Sequence, residues 1–80
     1  MKAIVDIETD KLDATKIHCI VAQNYYTGQV HQWVGENCSR FKEWSKQVDQ
    51  FIMHNGLSFD APVLTRLAGS SIRPNQINYC

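Results

Sequence analysis

The fold is set near the start of the sequence, where residues 2–8 read Lys2-Ala3-Ile4-Val5-Asp6-Ile7-Glu8. Residues 2–7 are typical of a buried strand. Because side chains alternate across a strand, Asp6 and Glu8 are expected to project from the same face. Two acids in a hydrophobic setting repel each other unless a cation lies between them. The pair therefore suggests a cation site. The alternative is that the strand ends at Asp6 and Glu8 starts a solvated loop.

Two further strands are predicted after a polar connection over residues 10–16. Residues 17–25 are rich in β-forming side chains, and residues 29–34 have the same character. Thr27-Gly28 between them is a turn signal. Residues 17–34 are therefore predicted to form a β-hairpin. Cys19, inside the first of these strands, is expected to be a small core residue.

The second half of the chain changes to helical spacing. Ser39 is a candidate N-cap for a helix whose apolar side carries Phe41, Trp44 and Val48. Residues 51–53 then read as a short buried strand. A second helix is predicted to open at residues 59–62, with Pro62 in its first turn and Gly69 as its stop. Tyr79-Cys80 could begin another strand.

The predicted order is β-β-β-α-β-α, an α/β fold with a mixed sheet. The fourth strand most plausibly pairs in parallel beside the first, so that their carboxyl ends lie together. This pairing brings Asp60 toward Asp6 and Glu8. Three carboxylates at one edge make an oxygen-ligand site suited to Mg²⁺ or Mn²⁺.

Composition limits the class of protein. Eighty residues make one small domain, and eight basic residues balance eight acidic ones. Contact with nucleic acid must then be local or metal-mediated, because no basic surface is predicted. Three cysteines without CxxC spacing and the lack of a long apolar run predict a soluble protein of a reducing cytoplasm with no membrane partner.

Two stretches carry a resemblance to a known family. Asp6-Ile7-Glu8-Thr9 resembles the first motif of the DnaQ-like (DEDD) 3′–5′ exonucleases, which have the ribonuclease H-like fold. Residues 54–60, His54-Asn55-Gly56-Leu57-Ser58-Phe59-Asp60, resemble their second motif. The likeness is closest to the N-terminal proofreading exonuclease of T7-like phage DNA polymerases, where the second motif also runs into an Asp-x-Pro-x-Leu helix. It covers residues 2–34 moderately and residues 51–67 strongly.

The resemblance implies a role for each matching residue. Asp6 and Glu8 would bind a first metal ion and Asp60 a second, partly through water, in phosphodiester hydrolysis. Asn55 and the backbone amide of Thr9 would position the 3′ end of a single DNA strand. His54 either buttresses this loop or is a structural histidine.

The family's third motif, which supplies a fourth metal-binding Asp and a water-orienting Tyr or His, has no counterpart here. After Asp60 the sequence contains no Asp or Glu. Residues 1–80 are therefore interpreted as the N-terminal half of an exonuclease-like domain, a truncated ribonuclease H-like fold. Its Mg²⁺ or Mn²⁺ binding is expected to be weak and its activity alone low or absent.

Three interpretations remain open. In the first, the chain is a truncated or split piece of a phage-type DNA polymerase in the host cytoplasm, and a remaining half, if encoded separately, would assemble with it and restore the site. Alternatively, it is a small phage protein that reuses the half-fold to bind and inhibit or decoy a host or phage protein. A sheet edge left bare by a missing fifth strand would serve for such pairing. The third interpretation is an inert remnant.

Overall fold

The protein is a small α/β domain with one mixed sheet, which confirms the prediction of an α/β fold with a mixed sheet. A computed structural model describes residues 1–10, 16–54 and 59–79. Residues 78 and 79 are described by their backbone only. Within these ranges the strands are β1 (Lys2–Thr9), β2 (Ile17–Asn24), β3 (Val30–Val34), β4 (Gln50–Ile52) and β5 (Ile77–Tyr79). Their order is β3-β2-β1-β4-β5. The first three strands pair antiparallel, whereas β4 pairs in parallel with both β1 and β5.

Two α-helices, α1 (Phe41–Ser45) and α2 (Ala61–Ala68), complete the described structure together with 3₁₀ turns at Gly35–Arg40 and Pro74–Gln76. Helix α2 begins with Pro62 in its first turn and ends at Gly69, as the sequence predicted. Gly69 has a left-handed φ of 73° and donates its N–H to the carbonyl of Leu64. In the part of the chain that the structure describes, no helix has the length and apolar character needed to cross a membrane.

The hydrophobic core lies on one face of the sheet, beneath both helices. Ala3, Val5 and Ile7 of β1 point into it, as the alternating burial of the strand requires. The helices contribute the fully buried side chains of Phe41 and Leu64. This core orients β1, so that every second residue of the strand faces the other way.

An aromatic cluster extends the core under β3. The Trp33 ring lies 5.1 Å from Phe41 and 5.2 Å from Trp44, measured between ring centroids. His31 also packs on Trp44 at 5.2 Å. Both tryptophans are thus packing residues of this cluster.

The first helix differs from its prediction. Ser39 is not its N-cap: it lies inside the preceding 3₁₀ turn, and its hydroxyl donates to the Glu36 carbonyl at 3.1 Å. The helix ends at Ser45, because the next amides bond three residues back and the amide of Asp49 donates to the Met1 carbonyl at 2.8 Å. The chain thus turns early in order to bring β4 beside the start of β1.

Three other predictions are corrected. Strand β1 continues to Thr9, so Glu8 lies within the strand and does not start a loop. A fifth strand, β5, covers the outer edge of β4, so the edge expected to be bare there is paired. Cys19 is only half-buried, on the face of the sheet opposite the core, whereas Cys38 is the buried cysteine.

The second face of the sheet is exposed in the described structure, and we call it the open face. On β1 it carries Lys2, Ile4, Asp6 and Glu8. Strands β2, β3 and β4 add neighbours in register, among them Val21, Val30, Val34 and Ile52. Asp6 and Glu8 therefore face solvent, and the prediction that they lie in a hydrophobic setting is wrong.

Candidate functional site

The parallel pairing of β1 with β4 places two chain segments at one end of the sheet. Ile4 is in register with Ile52, the last residue of β4. Asp6 follows Ile4 by two residues within β1, and His54 follows Ile52 by two residues in the turn after β4, so both chain segments carry a polar residue toward the same end of the sheet. Ligands commonly bind at the carboxyl ends of parallel strands in α/β sheets, because chain segments diverge there and leave a crevice.

Asp60 is the buried acid of this edge. It stands at the N-terminus of α2 and is 6% exposed. Burial first, and then the negative charge of Asp6, raise its pKa to about 6, while His54 acts in the opposite direction. The Asp6 carboxylate therefore lies within electrostatic range of Asp60. The structure therefore brings together two of the predicted site residues, which are far apart in the sequence.

The burial of Asp60 follows from the anchoring of α2. Phe59 before it packs against the core, and Ala61, Val63 and Leu64 after it are buried. Asp60 itself has helical backbone angles and makes no side-chain capping hydrogen bond. Its carboxyl group is thus held at the edge by apolar packing on both sides. The Asp60 carboxylate therefore does not serve as a helix cap.

Glu8 shares one face of β1 with Asp6, as predicted. It is exposed on the open face of β1, in register with Cys19 of β2. Among the described residues, no three His, Cys, Asp or Glu side chains lie close enough to form a metal-holding group. The assembled unit is therefore the Asp6–Asp60 pair, with Glu8 two residues along the strand.

A bulge interrupts the β1–β2 ladder between Glu8 and Thr9. Bulges re-aim side chains and are frequent beside functional sites. Thr9 is half-buried at this point, which is the end of β1, and His54 is exposed. The bulge was not foreseen, since no glycine or other turn residue marks it in the sequence. Asn55 lies outside the described residues, and its role stays a prediction.

The carboxylate pair is chemically suited to a hard divalent cation. Magnesium typically takes one or two protein carboxylates and completes its shell with water or phosphate oxygens. A cation between Asp6 and Asp60 would also remove the repulsion that contributes to the raised pKa of Asp60. The residues present therefore fit one ion better than a two-ion site.

An apolar pocket of about 260 Å³ begins directly after Asp60. Its walls come from the exposed side of α2 and from the segment leading into β5, namely Ala61, Pro62, Thr65, Arg66, Ile72, Pro74 and Ile77. Neither carboxylate of the pair lines it. The pocket is thus separate from the Asp6–Asp60 pair.

Comparison with known proteins gives no relative from which to transfer a function. No protein-family model matches the sequence, and no curated protein matches it.

Proposed function

We propose that this chain is a 3′–5′ exonuclease-like fragment of a phage-type DNA polymerase, with a ribonuclease H-like half-fold and a partial carboxylate site for phosphodiester hydrolysis. The single observation that supports it best is the proximity of Asp6 and Asp60. Each of the two motifs that carry the family resemblance contributes one of these carboxylates, which supports the proposal.

In this proposal Asp6 and Asp60 hold a Mg²⁺ or Mn²⁺ ion, and Glu8 completes its shell directly or through water. Such an ion, when bound, lowers the pKa of its water and neutralises charge on a phosphate oxygen. Asp6 offers an exposed carboxylate on a strand fixed by the core. Asp60 contributes a buried carboxylate, which must be ionised to serve as a ligand. His54 favours that ionised form, because it lowers the pKa of Asp60.

The same site is expected to be inefficient alone. The sequence contains no acid after Asp60 to act as a further ligand. A single ion held by two neighbouring carboxylates lacks the second ion that stabilises the leaving oxygen in two-metal hydrolysis. We therefore expect weak cation binding and little or no degradation of DNA by the isolated chain.

The test is incubation of the protein with 3′-ended single-stranded DNA and Mn²⁺, beside Asp6→Ala as the inactive control. Wild type and control are expected to degrade DNA equally little. Robust 3′–5′ degradation that disappears in Asp6→Ala would show that the fragment is an active enzyme. If the fragment alone is inactive, as expected, addition of a candidate second half of a split polymerase should raise the exonuclease activity of the wild type and not that of Asp6→Ala.

The alternative, a small phage protein that binds and inhibits or decoys another protein, has support from the other side of the sheet. Within the described residues, β3 pairs only with β2, so its outer edge offers free backbone groups. A stoichiometric protein complex that survives loss of both Asp6 and Glu8 would favour this function over the nuclease.

A further inference from the structure

An apolar row crosses the centre of the open face. The strand registers align Ile52 with Ile4, Ile4 with Gln23, and Gln23 with Val30. Ile4 is 40% exposed and Val30 is 58% exposed. The Gln23 amide turns toward the β2–β3 connection, where it donates to the Gly28 carbonyl at 3.2 Å. The row is therefore apolar at three of its four positions.

This exposure is unusual for the strands that carry it. Ile4 and Ile52 belong to a parallel pair, and β1 is the central strand of the sheet. Parallel strands are normally covered on both faces. Covering the row would remove apolar surface from water at about 25 cal/mol per Å². The face is thus suited to a partner.

The charges beside the row identify that partner. Lys2 and Asp6 lie on the open face, two residues before and two residues after Ile4. Each is therefore about 7 Å from Ile4 along the strand. Consider a two-fold axis that lies midway between two facing sheets, passes over Ile4 and runs across the strands. This axis sets Ile4 opposite its copy and Lys2 of one chain opposite Asp6 of the other. The same operation sets Asp6 against the second Lys2.

The side chain of Lys2 is already held near this face. Its ammonium group lies over the ring of Tyr25, 4.7 Å from the centroid. This contact limits the conformations of the Lys2 side chain and leaves its ammonium group able to donate hydrogen bonds to a carboxylate above the sheet. Less conformational entropy is then lost when the pair forms.

We propose that two copies of this chain associate face to face through their open faces, with Ile4 on the two-fold axis and reciprocal Lys2–Asp6 pairs. Sheets packed in this way lie about 10 Å apart. Five strands at about 4.8 Å spacing and some 20 Å long give a face on the order of 500 Å² per copy. That is the size of a weak, reversible interface.

The association goes beyond the proposed nuclease function and does not depend on it. It does compete with it, because a cation and the partner's Lys2 use the same Asp6 carboxylate. Mn²⁺ is therefore expected to shift the equilibrium toward the monomer. Measuring association in EDTA separates the two proposals, since cation binding cannot then contribute.

The experiment is sedimentation equilibrium in EDTA from micromolar to millimolar protein. The wild type should pass from monomer to dimer over this range. Lys2→Glu and Asp6→Lys should each weaken the dimer about tenfold or more, because each creates like-charge contacts across the axis. The double variant Lys2→Glu/Asp6→Lys should restore it. Glu36→Lys, a charge reversal at an exposed residue of the Gly35–Arg40 turn, should have no effect.

Thermal unfolding by circular dichroism checks that each variant is folded, and Ile4→Gln provides a second probe at the axis. A chain that stays monomeric at millimolar concentration overturns the proposal and leaves the face to a different protein. The proposal is also overturned if neither single charge reversal weakens the dimer, or if the double variant does not restore its affinity.

Discussion

Asp60 lies within electrostatic range of Asp6, and the charge of Asp6 adds to the effect of burial in raising the pKa of Asp60 to about 6. One of these carboxylates is exposed on a central strand and the other is enclosed at the start of a helix. Above pH 6 the Asp60 carboxyl group is predominantly ionised, so the charge of Asp6 repels it in the folded protein until a proton or a cation neutralises it. The first two predictions below follow from this repulsion.

The contribution of Asp60 to stability should fall as pH rises from about 4 to about 6. The pKa of Asp60 in the folded protein is above its ordinary value of 3.8, so the folded state binds the proton more tightly than the unfolded state. The resulting stabilisation is complete below the ordinary pKa and is lost as pH rises through the folded pKa. Its upper size is about 3 kcal/mol, from 1.36 kcal/mol per pKa unit.

Asp60→Asn should abolish this loss and leave the variant more stable than the wild type at neutral pH. Urea unfolding at a series of pH values measures it. Asp6→Asn is the matched control and should reduce the pH dependence only in part, because the burial of Asp60 remains. Parallel pH curves for the wild type and Asp60→Asn would contradict the raised pKa.

Cation binding should depend more on Asp6 than on Glu8. The fold sets Asp6 beside Asp60, whereas Glu8 lies further along β1. Asp6→Asn is expected to weaken Mn²⁺ binding about tenfold and Glu8→Gln by about threefold or less, since magnesium-type sites need only one or two protein carboxylates. Electron paramagnetic resonance of free Mn²⁺ gives both affinities, with Glu36→Gln as the control. Equal losses at Asp6 and Glu8 would instead show that all three carboxylates act together.

Removing the hydroxyl group of Ser70 should stabilise the protein. Ser70 is 2% exposed, and its Oγ has no hydrogen-bond partner in the described structure. Its desolvation is uncompensated, so Ser70→Ala is expected to raise the free energy of unfolding by about 1 kcal/mol. Ser45→Ala is the comparison, because the Ser45 hydroxyl donates to the Lys42 carbonyl at 2.8 Å and its removal brings no such gain. A loss of stability in Ser70→Ala would point to a buried water or other partner at this hydroxyl.

A side chain at position 69 should destabilise the end of α2. Gly69 has a φ of 73°, and an added Cβ would lie 3.4 Å from Cδ of Lys42. Gly69→Ala is expected to lower the free energy of unfolding by about 1 kcal/mol. Gly69→Asn should be milder, because asparagine tolerates the left-handed region better. Thermal melts of the two variants measure the difference, and equal melting temperatures for Gly69→Ala and the wild type would contradict the strain.

Much of the architecture could be predicted because it rests on local patterns. A short apolar run predicted β1, Thr27-Gly28 marked the hairpin, and Pro62 with Gly69 bounded α2. The first helix was predicted too long, since Val48 continued the helical spacing of Phe41 and Trp44. Its end is imposed by pairing with the start of β1, which is a tertiary contact and leaves no local signal.

In the candidate site, too, some features follow from the sequence and others only from the tertiary structure. The sequence by itself determined which acids are available and that Asp6 and Glu8 share one face of a strand, because side-chain direction in a strand follows from its period of two. Only the tertiary structure decided that this face is exposed, that Asp60 is the buried acid, and that Asp6 is its neighbour. Burial and proximity depend on which elements pack together, and that packing arises from contacts between residues far apart in the chain.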